Sequence, residues 1–434
     1  MTGEGRGEDV ADILTRAHRD EWSRIVATLI RATGDWTVAE DAAQEAFARA
    51  AASWPADGVP DAPGAWLLTV ARRAAVDALR RHAAQRRRAD AQGIADTLAG
   101  RHVSGDPADQ ATLGWEERVD DRLRLIFTCA HPALALEARV ALTLRIVGGL
   151  QTDEIARAFL VSTPTMAQRI VRAKRRIAGA GVPYRVPDES ELPHRLHGVL
   201  SVLYVIFSEG YSSAGGQPLR DDLAGEAIRL ARMLVELVPV EQRDDPRALL
   251  ALMLLQHSRR RARVVGGAVV PFDEQDRSLW NRGDIDEAAA LLRVPVVRRT
   301  SYRVQAEIAG VHALSASPAQ TPWRQVVELY DELGGFVDSP VVALNRAIAV
   351  SFADSPERGL IALDDTVASG HLAGGHLVPA TRADMLRRAG RLSEAADLYA
   401  LAASRAPSDP ERRFLERRRL DALHRAGRFD PRRE

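Results

Sequence analysis

Apolar residues recur at helical spacing almost without interruption from about Ala11 onward, and no stretch alternates apolar with polar residues. Spacings of three and four build amphipathic helices, whereas a half-buried strand needs a period of two. The chain is therefore expected to be all-α. The breaks in the pattern divide it. Pro55, Gly58, Pro60, Pro63 and Gly64 mark a loop within Trp54–Gly64, and helical periodicity then resumes to about His82. From Ala83 to about Gly114 the period is lost and the stretch reads as a linker. A second helical block spans about Trp115 to Gly181. Gly181, Pro183 and Pro187 punctuate a boundary, and many short helical units follow from about Ser190. The expected domains are 1–82, 115–182 and 190–434, with 83–114 as the linker, which suits a chain of 434 residues.

Composition narrows the function mainly by exclusion. Fifty-nine basic residues balance 59 acidic ones, so only local clusters can point to a nucleic-acid partner. Lys174 is the only lysine, and every other basic residue in that count is arginine. Cys129 is the only cysteine, which rules out an intrachain disulfide and fits a reducing compartment. Its neighbours Phe127 and Ala130 suggest a packed thiol. The polar N-terminus has no signal-peptide core, and no apolar run reaches membrane-spanning length. A soluble, cytoplasmic protein with no membrane partner is the expectation. The glycine pairs Gly215-Gly216, Gly266-Gly267 and Gly374-Gly375 do not fit phosphate- or dinucleotide-binding spacings. His194 and His197 stand without the further ligands that a zinc site needs. No catalytic constellation, metal site or cofactor is expected, so the chain reads as a non-enzyme.

The first helical block carries two contrasting surfaces. Ala39, Ala43, Ala46, Phe47 and Ala50 share one helical face, and Asp41, Gln44 and Glu45 share another. The polar face suits docking to a basic partner helix. Further on, Leu68, Ala71, Ala75 and Leu79 mark the expected inner face of a helix from Trp66 to Arg81. Between Ala65 and Arg88 there are seven arginines and one acid, Asp77. Such a helix can hold a phosphate backbone. Trp66, beside Pro63 and Gly64, suits packing at the helix entry.

The second block holds a helix-turn-helix pattern. An amphipathic helix at Glu137–Val147 precedes Gly148-Gly149. Thr152 is placed to cap a helix at Asp153–Phe159 that buries Ile155, Ala156 and Phe159. Thr163 is placed to cap the next helix, with Pro164 as its first residue. Met166, Ile170, Ala173 and Ile177 face inward, while Thr165, Gln168, Arg169, Arg172 and Arg176 face outward. This second helix carries five basic residues and no acid. Glutamine and arginine in its first half suit base edges, and the basic second half suits phosphates.

Together these motifs resemble extracytoplasmic-function sigma factors. Val38–Phe47 resembles the helix that docks on core RNA polymerase, and Trp66–Arg81 resembles the helix that reads the promoter −10 element. The helix-turn-helix resembles the module that reads the −35 element. The resemblance implies polymerase contacts at Asp41, Gln44 and Glu45. It implies promoter DNA along Arg72, Arg73, Asp77, Arg80 and Arg81, and again at Thr163, Thr165, Gln168, Arg169 and Arg172, with Arg176 among the phosphate contacts.

The segment His197–Gly216, including Leu203–Ser212, resembles the extension of a subgroup whose C-terminal part is tetratricopeptide-like and regulates the sigma core in cis. Ala395, Tyr399, Ala402 and Pro407 repeat the spacing of Ala227, Ala231, Leu234 and Pro239, as helix-hairpin repeats require. Gly390 suits a turn between paired helices. A regulatory protein bound by this extension is a further expected partner. A helix-turn-helix regulator with a helical-repeat sensor domain is the alternative; it would need neither the polar docking patch nor the −10-like helix.

Overall fold

The computed structural model describes residues 10–93, 120–159, 161–211, 221–265, 268–368 and 375–427. These are helical apart from turns and one two-residue antiparallel ladder, Val264–Val265 with Ala268–Val269, so the fold is all-α. None of the described helices is long and apolar enough to cross a membrane. Two compact units divide the chain, 1–205 and 206–434.

In the first unit, α1 (Val10–Thr33), α2 (Trp36–Asp57) and α3 (Pro63–Gly93) pack on one another. Asp35 caps α2, its carboxylate accepting the Thr37 and Val38 amide protons at 2.8 and 3.0 Å. The alanine stripe of α2 is buried at Ala39, Ala43, Ala46 and Ala50, with Phe47 half-buried beside it. On α3 the buried set is Leu67, Ala71, Ala74 and Ala75, while Leu68 and Leu79 are only half-buried. The inner stripe is thus rotated toward Leu67 and Ala74. Helix α3 also runs on to Gly93, into the stretch read from the sequence as linker. Trp66 packs edge-on against the buried Trp54, 5.6 Å between ring centroids, as a helix-entry residue should.

Helices α4 (Asp121–Cys129) and α5 (Leu136–Leu142) follow, and α5 continues into a π-helical turn at Thr143–Val147. Helices α6 (Thr152–Ala158) and α7 (Thr163–Gly179) complete the helix-turn-helix. Two capping expectations are corrected by one residue. Gln151, not Thr152, precedes α6, and its amide donates to Glu154 Oε2 at 2.6 Å. Ser162, not Thr163, caps α7 through Thr165 N–H at 3.3 Å, which makes Pro164 the second helical residue. On α7 the cap falls one residue earlier because its side-chain acceptor must lie outside the first turn to reach the free amides, whereas on α6 the acceptor is Glu154 within the first turn, reaching back to Gln151. Phe159, one residue past the end of α6, is half-buried rather than buried.

Helix α8 (Leu192–Tyr211) contains the division between the units. The second unit comprises α9 (Asp221–Leu237), α10 (Asp244–Ser258), α11 (Arg282–Arg293), α12 (Ser301–Leu314), α13 (Trp323–Phe336), α14 (Pro340–Ala353), α15 (Pro356–Ala368), α16 (Leu377–Arg388), α17 (Leu392–Ser404) and α18 (Asp409–Arg425). Helix α12 packs chiefly on α10, and from α13 onward each helix packs chiefly on its neighbours in sequence. The small or apolar residues of the spacing echo are all buried, Ala395, Tyr399 and Ala402 on α17 and Ala227, Ala231 and Leu234 on α9. Pro239 and Pro407 lie just beyond their helices, and Gly390 turns the chain between α16 and α17. The α14–α15 crossing is so close that a Cβ on Gly359 would lie 2.2 Å from Ser351 Cβ. Glycine is the only residue that fits there. The last helix returns to an early part of the unit, where Arg418 pairs with Glu274.

Candidate nucleic-acid interface

Helix α7 presents its outward side chains as the sequence pattern requires. Met166, Ile170, Ala173 and Ile177 are buried, and the cap at Ser162 fixes where the helix begins. Thr163, Thr165, Gln168, Arg172 and Arg176 are exposed, and Arg169 is half-buried. Gln168 Oε1 accepts from Arg172 Nη2 at 3.1 Å, which aligns an amide and a guanidinium on one face. Thr165, Arg169, Arg172 and Arg176 rim a groove of about 420 Å³ floored by Ala133, Leu134 and Ala138. This is a basic edge on an apolar floor. It is suited to a phosphate backbone beside a base edge.

On α3, Arg73, Arg80 and Arg81 are exposed with Asp77, which lies 3.9 Å from Arg80. Arg72 differs from them. It is half-buried, and burial together with Arg24 and Arg31 lowers its pKa. Arg86, Arg87 and Arg88 lie on α3, but their side chains fall outside the described residues. On α2, Asp41 is exposed while Gln44 and Glu45 are half-buried, and Glu45 pairs with Arg49 at 2.5 Å.

The structure brings one further residue into the site, Glu40. It lies next to Asp41 yet is only 4% exposed. Its Oε1 accepts from Arg145 Nε at 3.0 Å, and Oε2 pairs with Lys174. A carboxylate on α2 thus holds a cation from the π-helical turn and another from α7. Buried charges persist when paired and hydrogen-bonded in this way. Lys174 is thereby drawn out of the basic surface of α7. Nearby contacts reinforce the junction. Trp22 Nε1 donates to the Ile146 carbonyl at 3.1 Å, Arg31 pairs with Asp121 at 2.9 Å, and the Tyr184 hydroxyl donates to the Ala27 carbonyl at 3.1 Å. Gly149 (φ +77°) lies under Trp22, and a Cβ there would come within 2.9 Å of the indole. Cys129 is fully buried near this junction. Burial first, and then Glu40, push its thiol pKa well up, as a packed thiol requires.

Comparison with known proteins matches this architecture module by module. Residues 14–85 match Sigma-70 region 2, and residues 124–177 match Sigma-70 region 4. A probable ECF RNA polymerase sigma factor, SigI, of two Mycobacterium tuberculosis strains is 35% identical over 164 residues, covering 37% of this chain and 52% of SigI. The chain carries Sigma-70 regions 2 and 4 of the extracytoplasmic-function type. Residues 195–295 match a family of unknown function, DUF6596, so this sigma factor carries a further module after region 4. An uncharacterised protein of Rhizobium meliloti is 40% identical over 402 residues, 92% of this chain and 93% of that protein, so the extension is shared with it. No solved structure matches the chain.

Within this sigma factor the helix-turn-helix is the DNA-binding module. The sequence marks one end of this contact: the chain's only lysine, Lys174, sits in a helix otherwise charged by arginine. A lone lysine does not, however, name its partner.

Proposed function

We propose that this sigma factor binds core RNA polymerase through Asp41, Gln44 and Glu45 and directs promoter-specific initiation without catalysis of its own. In this reading Arg72, Arg73, Asp77, Arg80 and Arg81 follow the −10 region. Thr163, Thr165, Gln168, Arg169 and Arg172 read the −35 element, and Arg176 holds the phosphate backbone beside it. Residues 1–82 and 115–182 act as the two promoter-reading domains, 83–114 as their linker, and 190–434 as a tetratricopeptide-like domain regulating them in cis. A separate regulatory protein is the extension's other candidate partner. The observation that carries the reading is the outward row of Thr165, Gln168, Arg169, Arg172 and Arg176 on a capped helix with an apolar inner face.

By their names the −10 and −35 elements lie about 25 base pairs apart, roughly 85 Å of B-form DNA. A compact unit of about 200 residues spans roughly 45 Å. Reading both elements at once therefore requires α7 to leave Glu40.

Two experiments test the reading. Full-length protein added to core RNA polymerase is expected to give promoter-specific transcripts, and Asp41→Lys with Glu45→Lys is expected to weaken capture of the core enzyme. Unchanged capture would remove α2 from the docking surface. Gly359→Leu, which forces α14 from α15, is expected to change transcript yield. Equal yield would exclude regulation by the extension.

A further inference from the structure

The second unit contains a concentration of positive charge that its own acids do not neutralise. Arg259, Arg263 and Arg277 are half-buried, and none has a carboxylate among the described residues within ion-pair distance. They gather on aromatic faces. Arg263 lies 3.6 Å from the Tyr211 ring centroid, and Arg259 donates to the Tyr211 hydroxyl at 2.8 Å. Arg259 and Arg277 lie 4.9 and 5.8 Å from the centroid of Phe272, and Arg277 lies 4.6 Å from Trp280. His312 meets the same Phe272 ring edge-on at 5.1 Å.

The nearby acids are engaged elsewhere or turned to solvent. Glu274 pairs with Arg418, Asp276 accepts from Ser278 N–H at 2.8 Å, and Asp284 is shared by Arg260 and His257. Glu209 and Asp273 are exposed. Around Phe272 several buried donors also lack an acceptor, namely Arg277 Nε and Nη2 and Trp280 Nε1, and the ring nitrogen Nδ1 of His312 is without a partner as well. Buried donors of this kind are normally satisfied, and clustered cations beside them favour an anion. Burial, followed by Arg259 and Arg277, depresses His312 to about 4, so its ring stays neutral and adds no charge near pH 7.

We propose that the extension of this sigma factor carries a binding site for a small-molecule oxyanion, built by Arg259 and Arg277 on Phe272 with Arg263 on the adjoining Tyr211. Guanidinium forks match the oxygens of a phosphate or carboxylate, and the Tyr211, Phe272 and Trp280 rings hold the forks in place. The unpartnered donors are themselves buried, which selects a small ligand over a protein segment. The proposal stands apart from promoter reading, since every residue in it lies in the second unit.

The test is calorimetric titration of the full-length protein with inorganic phosphate and, separately, with citrate, at constant ionic strength in chloride. Saturable one-to-one binding of either is expected; phosphate alone or citrate alone names the group recognised. Arg259→Gln is expected to weaken binding at least about tenfold. Arg299→Gln, at an arginine already held by two glutamates, should leave it unchanged. Trp280→Phe should abolish a ligand-dependent change in tryptophan fluorescence and weaken calorimetric binding less than Arg259→Gln does, since it removes one donor and leaves the guanidinium groups. Far-ultraviolet circular dichroism establishes that each variant is folded. No saturable binding of either ion overturns the proposal, as does full affinity in folded Arg259→Gln.

Discussion

Arginine is used in opposite ways by α7 and by the extension. On α7, Arg169, Arg172, Arg175 and Arg176 have no carboxylate partner among the described residues, and their one direct side-chain link is from Arg172 to Gln168. In the extension, arginines are mostly cross-linked to acids. Arg232 pairs with Glu287 at 2.7 Å, Arg299 with Glu307 and Glu332, and Arg387 and Arg388 both with Asp384. The hydrogen bonds to Glu332 and Glu307 push the Arg299 pKa above the usual arginine range. The chain's balance of 59 against 59 therefore averages a scaffold whose arginines, apart from such groups as Arg259, Arg263 and Arg277, often pair with acids, and a recognition helix whose arginines do not. Net charge describes the whole surface, whereas phosphate affinity depends on where cations lack partners.

Lys174 is the exception on α7, and it provides the strongest test of the contrast. Glu40→Ala leaves Arg145 and Lys174 without their buried partner and is expected to cost about 3–5 kcal/mol. Urea unfolding at neutral pH measures it, and Glu40→Leu with Lys174→Met is expected to restore much of the loss. A cost under about 1 kcal/mol would place Lys174 with its unpaired arginine neighbours instead.

The next effect separates two kinds of unpaired arginine. Arg169→Ala is expected to cost about 1–3 kcal/mol, and only on DNA carrying the matched base. Arg176→Ala is expected to weaken binding to all sequences alike and to reduce the salt slope by about one. Binding across a set of promoter variants at several salt concentrations resolves them. A uniform loss from Arg169→Ala would make it a phosphate contact.

The smallest effect belongs to the scaffold. Arg299→Ala is expected to lower stability by about 1 kcal/mol or less, since the side chain is two-fifths exposed. It should leave the salt dependence of DNA binding untouched. A changed salt slope would mean that the extension's arginines also meet DNA.

What could be read from the sequence follows from the range of each interaction. The inner face of α7 was legible because Met166, Ile170, Ala173 and Ile177 obey a local period. The alanine stripe of α2 was legible for the same reason. The caps differ by one residue because polar neighbours adjoin at each helix start, Gln151 with Thr152 and Ser162 with Thr163, and only backbone geometry selects between them. The stripe of α3 was misplaced toward Leu68 because Leu67 and Leu68 are chemically alike, and the choice is made by α1 and α2. Glu40 was hidden for a deeper reason. Its partners lie 105 and 134 residues away, so no periodicity distinguishes it from the exposed Asp41 beside it. The arginines around Phe272 were hidden likewise, since Tyr211, Arg259, Phe272 and His312 come from four separate segments.

The return of α18 to Glu274 changes how the extension should come apart. An open row of helices behaves as a one-dimensional ladder, in which an end unit has a single neighbour and frays first. The Arg418–Glu274 pair gives the last helix a second anchor 144 residues back along the chain. Fraying at that end then requires two junctions to open together, so the loose terminus of a ladder becomes a cooperative part of a closed loop.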